Sequence, residues 1–332
     1  IFATPLLGSV KFFIVALFFL APLVMATTLH MLLKRLSDNR WLTASSAVLY
    51  AISPVAISAI NSGRLATVII LILLPLLVIA ASGWRDIEKF SWRRVFSISL
   101  LVAILAAFSP VIFLFGLALT GIAIYRDYLD SDQGLNQQLF NNRVYRRITL
   151  VVTPLLLCAP WSFELIFSPN RFFIDAGFLI PGGGPNLTIL GNPGGPGSLP
   201  LAVLSPLSII LGISLFSSTR ARRVAEFGFF SLLAAVLLSA ISITGNGTLV
   251  PNRIYPGTLM TITTVSAICA AVIMLDKLRD RLIVTNINFR HISAATLLVA
   301  TILYALSSIG WIVTKGATSP LQTGKEIVLP AF

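Results

Sequence analysis

Charge is what this chain most lacks: only 11% of its 332 residues are Asp, Glu, Lys or Arg, against about a quarter in an ordinary soluble domain. With 56% hydrophobic residues and a mean hydropathy of +0.92, such a chain cannot present a water-compatible surface around a single core. It also has only two cysteines and two histidines. Cys158 and Cys269 both fall in apolar stretches far apart in sequence, which excludes a disulfide framework and gives no metal-ligand spacing; they read as small buried apolar residues. His30 has no second His, Cys or carboxylate three or four residues away, so it reads as a partner in a helix–helix hydrogen bond rather than a metal ligand. No metal or other cofactor is expected. Disordered, collagen-like and disulfide-stapled classes are excluded by the same composition. The expectation is an all-α, polytopic integral membrane protein forming a single transmembrane domain over residues 1–332, and a nucleic-acid partner is not expected.

The net charge of +12 takes its meaning from placement. No long basic run exists; the cations recur in short groups between apolar stretches. Runs long enough to cross about 30 Å of hydrocarbon cover Phe12–Leu33, Trp41–Ile60, Leu65–Ala81, Ile148–Phe167, Leu201–Phe216, Phe227–Ile243, Thr258–Leu275 and Ile292–Thr314. The apolar stretch from Val95 to Tyr125 is too long for one span and carries Ser109-Pro110 in its middle. It is either one long kinked helix or a hairpin of two short helices. The excess of Lys and Arg on cytoplasmic loops decides for the hairpin near 95–125. With it, segments 34–40, 82–94, 126–147, 217–226 and 276–291 share one face and hold eighteen of the 24 basic residues. The sequence therefore predicts about ten helical segments in a plasma membrane, with the fourth and fifth short and both termini outside. The start at Ile1, without a leader pattern, is expected of a piece of a longer or processed protein.

The predicted inner loops have plain readings. Residues 84–94 alternate Trp and Phe with charge, as an interfacial anchor does. Asp127, Asp130 and Asp132 resemble a cation loop only loosely, lacking its Gly and distal Glu, and read as a solvated acidic surface. Pro22, Pro54, Pro75, Pro154 and Pro160 read as helix kinks.

Residues that topology does not explain gather on the predicted outer face. Asn61 and Arg64 lie in a tight turn at the membrane surface. Glu164 sits among apolar neighbours, where a carboxylate is costly unless paired or hydrated; a functional role and a structural cap weigh equally. Arg171 and Asp175 open a long outer loop, 169–200, with seven Gly and five Pro between positions 181 and 200. No Gly-Lys-Ser or Gly-Lys-Thr follows, which excludes a nucleotide phosphate loop. A lid or packed plug and a plain connector are the two readings, the connector slightly favoured. Arg253 and Tyr255 precede a helix. Arg64, Arg171, Arg253, Asn61 and Tyr255 are the candidate substrate-binding residues, since guanidinium groups grip phosphate in a bidentate manner. Glu164 and Asp175 are the candidate catalytic carboxylates. The sequons at Asn186 and Asn246 carry little weight.

Residues 61–67, 73–77, 105–110 and 159–165, with the Gly/Pro-rich stretch after Asp175, resemble the membrane region of large actinobacterial family 2 glycosyltransferases. That resemblance implies a role in cell-envelope glycan assembly, with the membrane region holding or translocating a polyprenyl-phosphate-linked sugar. Its partners would be membrane lipids and a separate or upstream glycosyltransferase domain. The family's catalytic cytoplasmic domain has no counterpart in this chain, so no catalytic motif is carried over, and Asp130 and Asp132 stand outside any such domain. A lipid-linked glycan flippase or transporter and a non-catalytic scaffold are the alternatives.

Overall fold

The structure, a computed structural model, describes residues 10–132, 137–168, 180–181, 188–195, 198, 207–216, 219–243, 252–282 and 289–315. Twelve helices are seen among them: α1 (Val10–Leu33), α2 (Arg40–Ala51), α3 (Pro54–Asn61), α4 (Leu65–Ala80), α5 (Trp92–Phe108), α6 (Pro110–Asp132), α7 (Gln137–Leu157), α8 (Trp161–Phe167), α9 (Leu207–Leu215), α10 (Thr219–Ala240), α11 (Gly257–Leu282) and α12 (Phe289–Lys315). Short 3-10 turns occur at Trp84–Lys89 and Thr188–Leu190. Among the described residues five stretches are long and apolar enough to cross a membrane: Phe12–Leu33, Arg40–Asn61, Pro110–Leu129, Thr219–Ala240 and Gly257–Asp276. Large apolar side chains such as Phe19, Leu23, Phe230 and Leu306 stand exposed on the outside of the bundle. Water would oppose such a surface, and hydrocarbon suits it.

At the centre lies α11, which packs against α10 and α9 and also meets α1 to α4 and α6. Its buried face carries Thr258, Thr261, Thr263, Thr264 and Ser266. Hydroxyls there need acceptors, and the helix provides them: Thr261 donates to the Gly257 carbonyl at 2.9 Å and Thr264 to that of Met260 at 2.8 Å. Ser231 on α10 donates to the Leu259 carbonyl at 2.8 Å. The two helices run antiparallel and touch most closely at Gly228, where a Cβ would stand 2.7 Å from the Ser266 Cβ and 2.9 Å from Leu211 Cδ2. Small residues permit this approach, which is how helices associate where no hydrophobic force separates protein from solvent.

The expected hairpin is present. Ser109, in extended conformation, separates α5 from α6, and its hydroxyl shares a 2.8 Å hydrogen bond with Thr258. The second arm is longer than expected, because α6 continues to Asp132 and its first twenty residues suffice to span. Other boundaries also shift. The Trp41–Ile60 run is broken: Ser53 caps α3 with its side chain and Pro54 takes the first helical turn. Pro54 therefore starts a helix rather than kinking one. Pro160 likewise caps α8, whereas Pro22, Pro75 and Pro154 lie inside helices. The carbonyl freed at Ile52 accepts from the Tyr304 hydroxyl at 2.9 Å, and Tyr50 donates across to the Leu71 carbonyl at 2.7 Å. Expected loop 126–147 is helical over its described residues, 126–132 and 137–147. Of the Leu201–Phe216 run, residues 201–206 lie outside the described residues, and α9 is nine residues long.

Contacts also sort the connections into two ends. Arg35 reaches the Ile79 carbonyl, Arg94 the carbonyls of Ala80 and Ser82, and Ser37 the Asp276 carboxylate. Residues from three of the segments expected on the basic face, 34–40, 82–94 and 276–291, thus meet at one end. At the other end lie Arg64, the Ser109 break and three two-residue antiparallel strands, β1 (Ile180–Pro181), β2 (Ser242–Ile243) and β3 (Asn252–Arg253), ordered β1-β3-β2.

Gly228→Ala should lower stability by about 1–3 kcal/mol through overpacking. Gly116→Ala, with nothing within 4 Å of the added methyl, should leave it unchanged or slightly raised. Thermal unfolding of the two purified variants against the parent measures the difference.

Candidate functional site

The turn after α3 is set by Gly63, whose φ of 64° is a left-handed conformation that a side chain would disfavour. Gly63 N–H donates to the Ile60 carbonyl at 3.1 Å and Arg64 N–H to that of Ala59 at 2.8 Å, the paired bonds of a Schellman motif. This closure folds Arg64 back against the bundle, where it is only 2% exposed. Its guanidinium carbon stands 3.8 Å from the centroid of the Tyr255 ring. The ring face offers negative charge density to the cation, worth about 0.5–2 kcal/mol as water is excluded. Tyr255 in turn donates to Ser58 Oγ at 3.4 Å, and Ser58 donates to the Gly194 carbonyl at 2.5 Å.

Gly257 makes this arrangement possible, since a Cβ there would fall 2.0 Å from Tyr255 Cε1. The Gly/Pro-rich segment is packed over its described part: Thr188, Gly191, Asn192 and Pro193 are buried, and Gly191, Gly194 and Gly195 all take positive φ. Ile189 and Leu190 in the same stretch stand exposed.

Of the seven candidate residues, Arg64 and Tyr255 are brought into direct contact. Asn61 ends α3 in the same turn, and Arg253 sits on β3, two residues before Tyr255, paired in register with Ile180 and Ser242. Glu164 lies in the first turn of α8 with its side chain exposed, where the helix dipole favours a carboxylate. Arg171 and Asp175 lie outside the described residues. Ser58, Gly194 and Gly257 were not foreseen; Pro256-Gly257 ahead of an apolar run was the available signal for the last.

A second polar cluster occupies the basic end. Arg147 Nε stands 2.8 Å from Asp127 Oδ2, and Arg143 lies 3.0 Å from Glu88 Oε2 and 3.4 Å from Asp127 Oδ1. Asp127 is 4% exposed, so it is a buried ion-pair partner and not a solvated acid; the side chains of Asp130 and Asp132 lie outside the described residues. Burial opposes the Arg143 charge, but Glu88 and Asp127 outweigh it and hold its pKa above the ordinary guanidinium value. At Arg147 desolvation prevails over the attraction of Asp127 and lowers it. The 3-10 turn at Trp84–Lys89 is more than an interfacial anchor, since Arg146 also donates to its Ile87 carbonyl at 3.3 Å.

Among the described residues no three His, Cys, Asp or Glu side chains converge as metal ligands. No protein-family model matches the chain, and no curated protein and no solved structure matches it.

Two outcomes test this geometry. Arg147→Ala, which leaves Asp127 with only its 3.4 Å contact to Arg143, should cost about 1–3 kcal/mol in unfolding free energy. Gly257→Ala should displace the Tyr255 ring and lower the unfolding temperature as much as Tyr255→Leu does, while Tyr255→Phe, which keeps the ring face, should remain closer to the parent.

Proposed function

We propose that this chain is the membrane portion of a glycosyltransferase system for cell-envelope glycan assembly, and that it binds a polyprenyl-phosphate-linked sugar at the end of the bundle holding Arg64. The observation that carries this reading is a guanidinium held on the Tyr255 face beneath the Gly/Pro-rich segment, at the end away from the basic loops. A planar cation already stripped of water and oriented by an aromatic ring grips a phosphodiester more strongly than a solvated one. In this reading the basic end faces the cytoplasm of a plasma membrane crossed by about ten segments, both termini lie outside, Arg171 and Arg253 add to the phosphate grip, and Glu164 or Asp175 serves as base. The resemblance of residues 61–67, 105–110 and 159–165 to family 2 glycosyltransferase membrane regions supplies the sugar chemistry.

A second reading, a flippase for the same lipid, draws on the break between α2 and α3 at Ile52 and Ser53. Discontinuous helices in the middle of a span are the usual setting of transporter sites.

In a cell dependent on this protein, Arg64→Ala at unchanged expression should reduce glycan transfer on the order of tenfold, the value of a lost charge-assisted contact, with Arg64→Lys intermediate. Full transfer by Arg64→Ala sinks the lipid-phosphate reading. Movement of a fluorescent polyprenyl-phosphate sugar across vesicles, without glycosyl transfer, would replace the first reading with the second.

A further inference from the structure

Between the C-terminal end of α1 and the start of α2 opens a pocket of about 900 Å³ lined by His30, Lys34, Asp38, Arg40, Trp41 and Thr43. It lies at the basic end, a full α4 length from Arg64, and owes nothing to the function proposed above. Its lining is net cationic, with exposed Lys34 and Arg40 against Asp38; the Asp276 carboxylate, which accepts from the Ser37 hydroxyl at 2.5 Å, lies outside that lining. The side chain of Asn39 caps α2 by accepting from the Trp41 and Leu42 N–H groups at 3.1 and 3.2 Å. An anion in the pocket would therefore be held by side chains and not by the helix terminus. The Nδ1 atom of His30 is buried with no hydrogen-bond partner among the described residues, so the expected helix–helix bond of His30 is not made through that atom.

The pocket's shoulders are apolar. Trp41 is 87% exposed, an indole at the boundary between charged groups and hydrocarbon. Val48, two turns along α2 on the face of Trp41 and Ala44, and Leu23, two turns back along α1 from His30, are also exposed. By helical spacing both carry the pocket's two walls on toward the middle of the bundle as an apolar track. Cations at the mouth and alkyl groups behind them match one chemistry, a phosphate with a hydrocarbon tail.

We propose that this pocket binds the phosphate of an anionic lipid, with Lys34 and Arg40 contacting the phosphate and Trp41, Leu23 and Val48 bordering the chain. Its distinctive readout is Trp41. The purified full chain is placed in phosphatidylcholine bilayers doped with brominated phosphatidylglycerol, and the part of the fluorescence quenching lost in Trp41→Phe is assigned to this indole. The parent should reach half-quenching of Trp41 at roughly 25-fold less phosphatidylglycerol than Lys34→Gln/Arg40→Gln, each basic side chain near an anionic surface contributing about a factor of five. Brominated phosphatidylcholine should quench both equally. If phosphatidylglycerol has no advantage but inorganic phosphate shifts Trp41 emission in the parent and not in the double variant, the phosphate site stands and its source is a free anion. Equal behaviour of parent and double variant toward both probes overturns the site. So does an equal loss in Arg93→Gln/Arg220→Gln, which removes two exposed charges elsewhere and would reduce the effect to general surface attraction.

Discussion

The structure depends on keeping polar groups satisfied inside a bundle that offers them no water, and α11 is where that constraint is met most densely. Its threonines return their hydroxyl protons to carbonyls one turn back, so a polar face can be buried without a neighbour having to match it. That frees α10 to approach on Gly228 and Ser231, and the remaining helices arrange around the pair. Both ends of α11 then position other chemistry. Gly257 at its start leaves room for the Tyr255 ring beneath Arg64, and Asp276 near its far end ties down Ser37 beside the basic pocket. One well-packed helix thus fixes the spacing between the two polar ends.

Arginine is handled throughout by aromatic faces. Arg64 lies over Tyr255, Arg94 over Phe90, Arg146 over Trp92 and Arg147 over Trp84, at 3.8, 3.8, 5.1 and 5.2 Å. A guanidinium is planar and weakly hydrated, so it can leave water and lie flat on a ring where an ammonium would keep its shell. At the basic end this stacking accompanies ion pairs with Glu88 and Asp127. The tryptophans of residues 84–94 thus cover the guanidinium groups of Arg146 and Arg147 and tie the 3-10 turn to α7.

The all-helical character and the Ser109 hairpin were legible because they follow from local runs of apolar residues and from the spacing of Lys and Arg. The break before Pro54 was less so, although Ser53-Pro54 is a capping signature; an uninterrupted apolar run concealed it. Asp127 was misread for a different reason. Its partners are sixteen and twenty residues away on another helix, and no periodicity links them. Arg64 and Tyr255 lie farther apart still, and their contact depends on a glycine whose missing Cβ matters only once α11 is in place. The exposure of Glu164 follows from α8 being a short helix set off from α7 by Cys158–Pro160 rather than the tail of one long span.

The separation of α3 from α2 gives Arg64 its particular dependence on the fold. Eight residues make too short a helix to persist alone, and this one is held by Ser53 at its start, the Gly63 turn at its end and packing against α4 and α11. Its Ser58 meets both Tyr255 and the Gly194 carbonyl, so α3, the Gly/Pro-rich segment and the start of α11 constrain one another through a single hydroxyl. A rearrangement of any of the three must break or remake those bonds. The position of the Arg64 guanidinium is therefore a property of this three-way junction and not of the turn that carries it.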